Sequence, residues 1–281
     1  MNIAVIGAGT MGSGIAQASA VAGHDVVLYD TSEASRTKGI EAVKSSLTRL
    51  VKKEKLSEDD RAQSLSRITL VGDLAQFKNA DIIIEAVFED AQVKRSVWEQ
   101  VDEVAGGETL LATNTSSLSV TEIASFVSNP ERFCGLHFFN PVAMMPLVEV
   151  VRGLQTSDET LQAAKEFTES IGKTPIICED KPGFIVNRLL VPYINDAIHA
   201  LSEGVASAED IDTAMKLGAN MPIGPLALAD LVGLDVSLAA GESLYQEFGD
   251  SKFRVAPLLR QMVRAGKLGR KTGEGFYDYK D

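Results

Sequence analysis

Residues Asn2 to Asp30 read NIAVIGAGTMGSGIAQASAVAGHDVVLYD, and this stretch decides the fold. Its first five residues, NIAVI, favour a short strand, and the glycines that follow open a helical segment to about Val21. After a break at Gly23, DVVLY over Asp25–Tyr29 predicts a second strand. Strand, glycine turn, helix and strand in ~30 residues form one βαβ unit, which predicts neighbouring parallel strands.

The glycine turn has the spacing G-x-G-x-x-G, which suits a dinucleotide pyrophosphate. Its first glycine makes a tight turn, the second lets the phosphate approach the backbone, and the third lets the helix pack on the strand. Asp30, at the end of the second strand, is suited to bind the adenosine ribose and would repel a 2′-phosphate, so we expect NAD rather than NADP. The alternative is a turn without a ligand. The predicted turn contacts are Gly7, Ala8, Gly9, Thr10, Met11 and Gly12.

Further strands and helices alternate along the chain as far as a Pro-Gly pair at Pro182 and Gly183. Such alternation predicts an α/β, Rossmann-type, doubly wound and mainly parallel sheet. After this pair only helix-length segments occur, so we expect a first domain over residues 1–182 and an all-helical C-terminal domain over 183–281. The further predicted strands are Ile68–Val71, Asp81–Val87, Thr109–Thr113 and Arg132–His137.

Composition and charge disfavour several classes of protein. The formal net charge of −12 disfavours binding to nucleic acid. Two cysteines are too few for a disulfide framework or a closed structural zinc site, which favours a reducing compartment and predicts a cytoplasmic protein without a metal. The first 24 residues carry no charge, but glycines and polar residues interrupt them, so we expect neither a signal peptide nor a membrane span.

A second group of polar residues is predicted at strand ends, where open parallel sheets bind ligands. It comprises residues 114–117 (NTSS), His137 in LHFFNP and Glu149 in LVEVV. A histidine whose second ring nitrogen is held by a carboxylate can take the proton of an alcohol while hydride leaves the same carbon. From the residues alone, His137 could equally be a structural histidine, and Glu149 an ordinary salt-bridge residue.

Six blocks together carry a resemblance to a known family: GAGTMGSGIAQ, NTSSLS, GLHFFNPV, LVEVVRG, PGFIVNRLL and GRKTGEGFYDY. In this order along the chain they resemble the short-chain L-3-hydroxyacyl-CoA dehydrogenases, in particular the bacterial 3-hydroxybutyryl-CoA enzymes. The resemblance implies an NAD-binding domain, a helical domain that forms a homodimer, and an active site in the cleft between them. One departure is Ala143, where relatives often have proline.

The resemblance also implies roles for single residues. His137 would be the general base and Glu149 its orienting carboxylate, with Ser116 and Asn187 on the substrate. Ser46, Lys53 and Ser116 would contact coenzyme A. On the cofactor side the family pattern implies the glycine turn together with Asp30, Glu89, Lys94, Asn114, Ser116, Asn140 and Lys271.

Three alternatives stay open. Lys52, Lys53 and Lys55 could be a solvated helix face, although an acidic chain needs some local basic site to hold an acyl-CoA. The chain could act on a free hydroxy acid, as L-gulonate 3-dehydrogenase-like enzymes do, or sense NADH without catalysis. In the expected homodimer, the apolar residues from Met221 to Ala229 could form part of the subunit interface.

Overall fold

The computed structural model describes residues 1–280. The chain forms two compact units, Met1–Lys181 and the remainder from Pro182 onward. Within the described residues, no helix combines the length and the apolar character needed to cross a membrane.

The first unit is built on one eight-stranded sheet with strand order β3-β2-β1-β4-β5-β6-β7-β8. All neighbouring strands are parallel except β6 and β7, which are antiparallel. The predicted Rossmann-type, mainly parallel sheet is therefore confirmed. The strands are β1 (Asn2–Ile6), β2 (Asp25–Tyr29), β3 (Ile68–Val71), β4 (Ile82–Glu85), β5 (Leu110–Thr113), β6 (Phe133–Phe138), β7 (Leu147–Arg152) and β8 (Thr174–Glu179).

All helices of this unit except the first begin where a serine or aspartate side chain accepts a backbone N–H. Ser32 caps the first turn of α2 through Ser35, and Ser57 caps α3 through Asp60. Asp90 does the same at α4. The helices are α1 (Thr10–Val21), α2 (Glu33–Lys52), α3 (Glu58–Ser66), α4 (Ala91–Asp102), α5 (Val120–Ala124) and α6 (Asp158–Ser170).

Apolar side chains from β1, β2, β4, β5, β6 and β7 form the core of the unit together with α1 and α6. The central strands are buried on both faces, which explains their continuous apolar runs. Two of the predicted strands are shorter than expected, since β4 covers only Ile82–Glu85 and β5 begins at Leu110. Strand β8 was not predicted, and β7 was anticipated only through the strand end expected near Glu149.

The second unit is helical, as predicted, with a core from α7, α9, α10 and α11. Two buried carboxylates organise it. Asp212 accepts the backbone N–H groups of Leu226 and Ala227 at the start of α9, and Asp230 accepts those of Phe276 and Tyr277 near the C-terminus. The helices are α7 (Val186–Ser202), α8 (Ala208–Gly218), α9 (Pro225–Val232), α10 (Leu234–Phe248) and α11 (Pro257–Arg264).

Candidate active site

The glycine turn between β1 and α1 leaves room for a ligand at one glycine only. A Cβ on Gly12 would lie 1.8 Å from the carbonyl oxygen of Gly7, and a Cβ on Gly7, which has φ +99°, would lie 2.6 Å from that of Ala86. A Cβ on Gly9 would have no atom within 4 Å. Gly7 and Gly12 are therefore required by the turn itself, while Gly9 faces open space at the start of α1, where backbone N–H groups attract a phosphate.

Asp30 holds the turn and faces the same space. Its Oδ2 accepts the backbone N–H of Ala8 at 3.0 Å, and its Oδ1 accepts that of Ser32 at 2.9 Å. Each carboxylate oxygen has a second lone pair, so Asp30 can also accept the hydroxyls of a ribose. The arrangement fits the adenosine half of a dinucleotide.

A groove of about 1170 Å³ in the first unit joins these features. Gly7 to Met11, Asp30 and Asn140 line it, so most of the cofactor residues predicted from the sequence share one cavity. One face of α2 also lines the groove, and this face includes Ser46. Lys53, the other predicted coenzyme A contact on α2, is exposed at the C-cap of the helix, about two turns beyond Ser46.

His137 and Glu149 are directly opposite each other on β6 and β7. Cross-strand neighbours point to the same face of a sheet, and here Nδ1 of His137 lies 2.7 Å from Oε2 of Glu149. Both side chains are buried, Glu149 completely. Because β7 is antiparallel, its amino-terminal end lies at the carboxyl edge of the parallel strands, so the pair lies at the edge where such sheets bind ligands.

Residues 114–117 follow β5 and connect this pair to the cofactor residues. Oδ1 of Asn114 accepts the backbone N–H of Phe138, next to His137, at 2.9 Å. Oε1 of Glu89 accepts the Thr115 hydroxyl at 2.6 Å and the backbone N–H of Ser116 at 2.7 Å. The first unit therefore brings Glu89, Asn114, Ser116, His137 and Glu149 to the ends of neighbouring strands.

The charge of Glu89 is fixed by its surroundings. Burial alone would raise the pKa of this carboxyl, but the Lys94 ammonium and hydrogen bonds from Thr115, Ser116 and Ser117 lower it overall. Lys94 is fully buried, and its Nζ lies 2.7 Å from Glu85 and 3.3 Å from Glu89. The role of Lys94 as a cofactor contact stays a prediction.

Comparison with known proteins decides the family. Residues 2–181 match the family described as 3-hydroxyacyl-CoA dehydrogenase, NAD binding domain, and residues 183–279 match 3-hydroxyacyl-CoA dehydrogenase, C-terminal domain. The chain belongs to the 3-hydroxyacyl-CoA dehydrogenase family. It is an NAD-dependent dehydrogenase, and NAD is its cofactor.

Individual members of the 3-hydroxyacyl-CoA dehydrogenase family are similar to this protein along nearly its whole length. The 3-hydroxybutyryl-CoA dehydrogenase of Clostridioides difficile is 51% identical over 279 residues, which are 99% of each chain. The mitochondrial hydroxyacyl-coenzyme A dehydrogenase of Sus scrofa is 43% identical over 99% of this chain and 91% of its own. The crystal structure of (S)-3-hydroxybutyryl-CoA dehydrogenase from Ralstonia eutropha has a TM-score of 0.96 at 52% identity, covering 100% of this chain and 99% of that one.

Two predicted site residues of the dehydrogenase belong to its second unit. Asn187 is the second residue of α7. Lys271 lies in a short 3-10 turn, Arg270–Thr272, and forms an ion pair with Asp235 within the same unit. Their roles toward substrate and cofactor stay predictions.

Sequence reasoning missed two residues of the dehydrogenase that shape this site. One is Glu85, a completely buried acid at the end of β4, and a carboxylate in an otherwise apolar strand was the signal that could have found it. The other is Lys173, whose ammonium donates to the carbonyl oxygens of Val142 and Met145 at 2.6 and 2.7 Å. Lys173 thereby holds the segment after Asn140 that lines the groove and contains Ala143. No local pattern indicates Lys173.

The two thiols of the dehydrogenase are unsuited to nucleophilic chemistry. Burial raises the pKa of Cys134 to about 12. Burial, together with the charges of Glu149, Glu179 and Asp180, raises the pKa of Cys178 to about 12 as well. Both sulfurs stay protonated near neutral pH, and the thiolate is the nucleophilic form.

Proposed function

We propose that the protein interconverts (S)-3-hydroxybutyryl-CoA and acetoacetyl-CoA, with His137 as general acid and base and Glu149 as its partner. The observation that carries the proposal is the buried 2.7 Å contact between the two side chains at the carboxyl edge of the sheet. The relatives from Clostridioides difficile and Ralstonia eutropha, both named for 3-hydroxybutyryl-CoA, support the substrate.

The geometry assigns the two ring nitrogens of His137 different tasks. Nδ1 contacts Glu149, and we assign to Nε2 the exchange of a proton with the 3-hydroxyl. In oxidation Nε2 accepts that proton, and the imidazolium that forms lies beside the Glu149 carboxylate, which stabilises its charge. In reduction the same imidazolium donates the proton to the carbonyl oxygen. NAD held by the glycine turn and Asp30 would supply the hydride acceptor for oxidation and, as NADH, the hydride donor for reduction.

Other residues would bind and orient the two ligands. Gly9 and the start of α1 would hold the pyrophosphate, and Asp30 the adenosine ribose. The loop bound by Glu89 would carry Ser116 toward the reacting groups. For coenzyme A we propose the face of α2 that includes Ser46 in the groove, with Lys53 as a cation for the phosphates. Asn187 and Lys271 complete the proposed set.

The proposed function is tested by comparing turnover with two hydride acceptors, acetoacetyl-CoA and free acetoacetate. We expect NADH oxidation with acetoacetyl-CoA at a kcat/KM at least about a hundredfold above that with free acetoacetate, because coenzyme A contributes binding energy that the free acid lacks. Both rates are measured by the loss of NADH absorbance at equal enzyme concentration. Preference for free acetoacetate would support a hydroxy acid dehydrogenase instead, and NADH binding without turnover of either acceptor would support a sensor.

We also propose a homodimer formed through the helical unit. Several large apolar side chains of this unit are exposed in the single chain, among them Leu189 at 68%, Leu217 at 83% and Leu231 at 53%. In contrast, Leu226 and Ala229 are buried in the core of the unit, although they lie in the run from Met221 to Ala229 that the sequence suggests for the interface. Sedimentation equilibrium should give twice the chain mass of 30.1 kDa, and a monomer at micromolar concentration would contradict the proposal.

A further inference from the structure

Glu85, Lys94 and Glu89 form a cluster at the end of β4 that we call the acidic triad. Glu85 and Lys94 are completely buried, and Glu89 is one-third exposed. The Lys94 ammonium lies between the two carboxylates, at 2.7 Å from Glu85 and 3.3 Å from Glu89. Two carboxylates thus share one ammonium.

Every partner of the Glu85 carboxylate donates a hydrogen bond. These partners are the Lys94 ammonium, the Thr113 hydroxyl at 2.7 Å and the backbone N–H of Val87 at 2.8 Å. The Lys94 ammonium and the Val87 N–H can only donate, and both contact Oε1, so Glu85 and Lys94 form a buried ion pair. Glu89 likewise accepts from Lys94, Thr115 and residues 116–117. The triad therefore carries a net charge of −1.

The triad lies on the side of the sheet that the nicotinamide must reach. Asp30 follows β2 and the glycine turn follows β1, so a dinucleotide with its adenosine at Asp30 would cross β1 toward β4 and β5. Those two strands end at Glu85 and Thr113, whose side chains form a hydrogen bond. Glu89 accepts hydrogen bonds from the loop that follows β5.

We propose that the acidic triad sets the relative affinity for the two redox states of the cofactor, favouring NAD⁺ over NADH. The oxidised nicotinamide ring carries a positive charge that the reduced ring lacks, so a nearby net negative charge stabilises only the oxidised form. One unit charge at ~10 Å in partly desolvated surroundings changes the affinity ratio by about tenfold. Glu85 acts here as a positioning residue, through Lys94 and Glu89. The inference rests on the proposed function for the side of the sheet where the nicotinamide binds.

Variants that change the triad's charge separate this role from a structural one. Glu85→Gln makes the triad neutral, and the double variant Glu85→Gln/Lys94→Met restores a net charge of −1 on Glu89 alone. Thr113→Val removes a hydrogen bond to Glu85 and keeps the charge. Thr109→Val is the matched control, because Thr109 precedes the other end of β5 and its hydroxyl donates to Ala80 at 2.8 Å, away from the triad.

Dissociation constants for NAD⁺, NADH and ADP-ribose are measured by calorimetry for each folded variant. We expect Glu85→Gln to lower the affinity for NAD⁺ relative to that for NADH by about tenfold. The dissociation constant of ADP-ribose, which lacks the nicotinamide, should change by less than about twofold. The double variant, Thr113→Val and Thr109→Val should keep the wild-type ratio of NAD⁺ to NADH affinity within about threefold.

Two results would overturn the inference. One is a folded Glu85→Gln variant that keeps the wild-type ratio of NAD⁺ to NADH affinity, including the case in which it binds all three ligands equally more weakly. That result would indicate a structural role only. The other is a shifted ratio in the double variant, which remains decisive if Glu85→Gln alone does not fold. None of these measurements uses an acyl-CoA, so a wild-type protein that fails to reduce acetoacetyl-CoA would overturn the proposed function and leave the test of the triad intact.

Discussion

His137→Gln is expected to lower kcat for acetoacetyl-CoA reduction by roughly three orders of magnitude. Glutamine retains a hydrogen-bonding group of similar size facing Glu149 but cannot take up and release a proton near neutral pH. General acid and base catalysis contributes about 10² to 10⁴ in rate, and His137 is the group we assign to it. The measurement is kcat at saturating acetoacetyl-CoA and NADH.

The control for this variant is cofactor binding. The predicted adenosine and pyrophosphate contacts, Asp30 and the glycine turn, are separate from His137 in the sheet, so the NADH dissociation constant should stay within about threefold of wild type. A kcat near the wild-type value would refute the catalytic assignment. Loss of NADH binding together with loss of turnover would indicate that the substitution disturbs the fold of the site.

Gly9→Ala is expected to raise the dissociation constant for NADH by roughly tenfold or more and leave the protein folded. The added methyl group meets no atom within 4 Å in the protein itself, so the fold can accept it. It occupies the space where the pyrophosphate approaches the backbone at the start of α1. Fluorescence titration with NADH measures the effect.

Gly107→Ala is the matched control for Gly9→Ala. A Cβ at Gly107 also has no atom within 4 Å, and this glycine lies before β5, outside the residues that line the groove. Both variants should keep the wild-type thermal midpoint within about 2 °C, since neither methyl group meets a steric clash. Equal NADH affinity in the two variants would show that the cofactor does not approach Gly9.

Local patterns predicted the parts of the fold whose signals lie within one element. Strands β1 and β2 match their predicted bounds because the glycine turn and Asp30 mark their ends. The serines that cap α2 and α3, Ser32 and Ser57, are local signals of the same kind. Strand β8 gave no comparable signal, since it is an edge strand with mixed exposure and contains Pro175.

The candidate site depends on pairings that no local pattern encodes. His137 and Glu149 were each visible as polar residues near strand ends, but their contact requires β6 and β7 to be antiparallel in one register. Glu85 carries a local signal, but its partners do not, because Lys94 and Thr113 come from a later helix and a neighbouring strand. The family resemblance supplied roles for individual residues, but the network that holds Glu89 became visible only in the structure.

A double-mutant cycle on His137 and Glu149 tests the central claim most directly. If the two side chains act as one acid-base unit, Glu149→Gln alone should lower kcat by about a hundredfold, and adding it to His137→Gln should lower kcat by no more than about threefold further. Once the histidine is gone, the carboxylate has no imidazolium to stabilise. Losses that multiply in the double variant would contradict the account, because they would mean that His137 and Glu149 contribute to turnover independently.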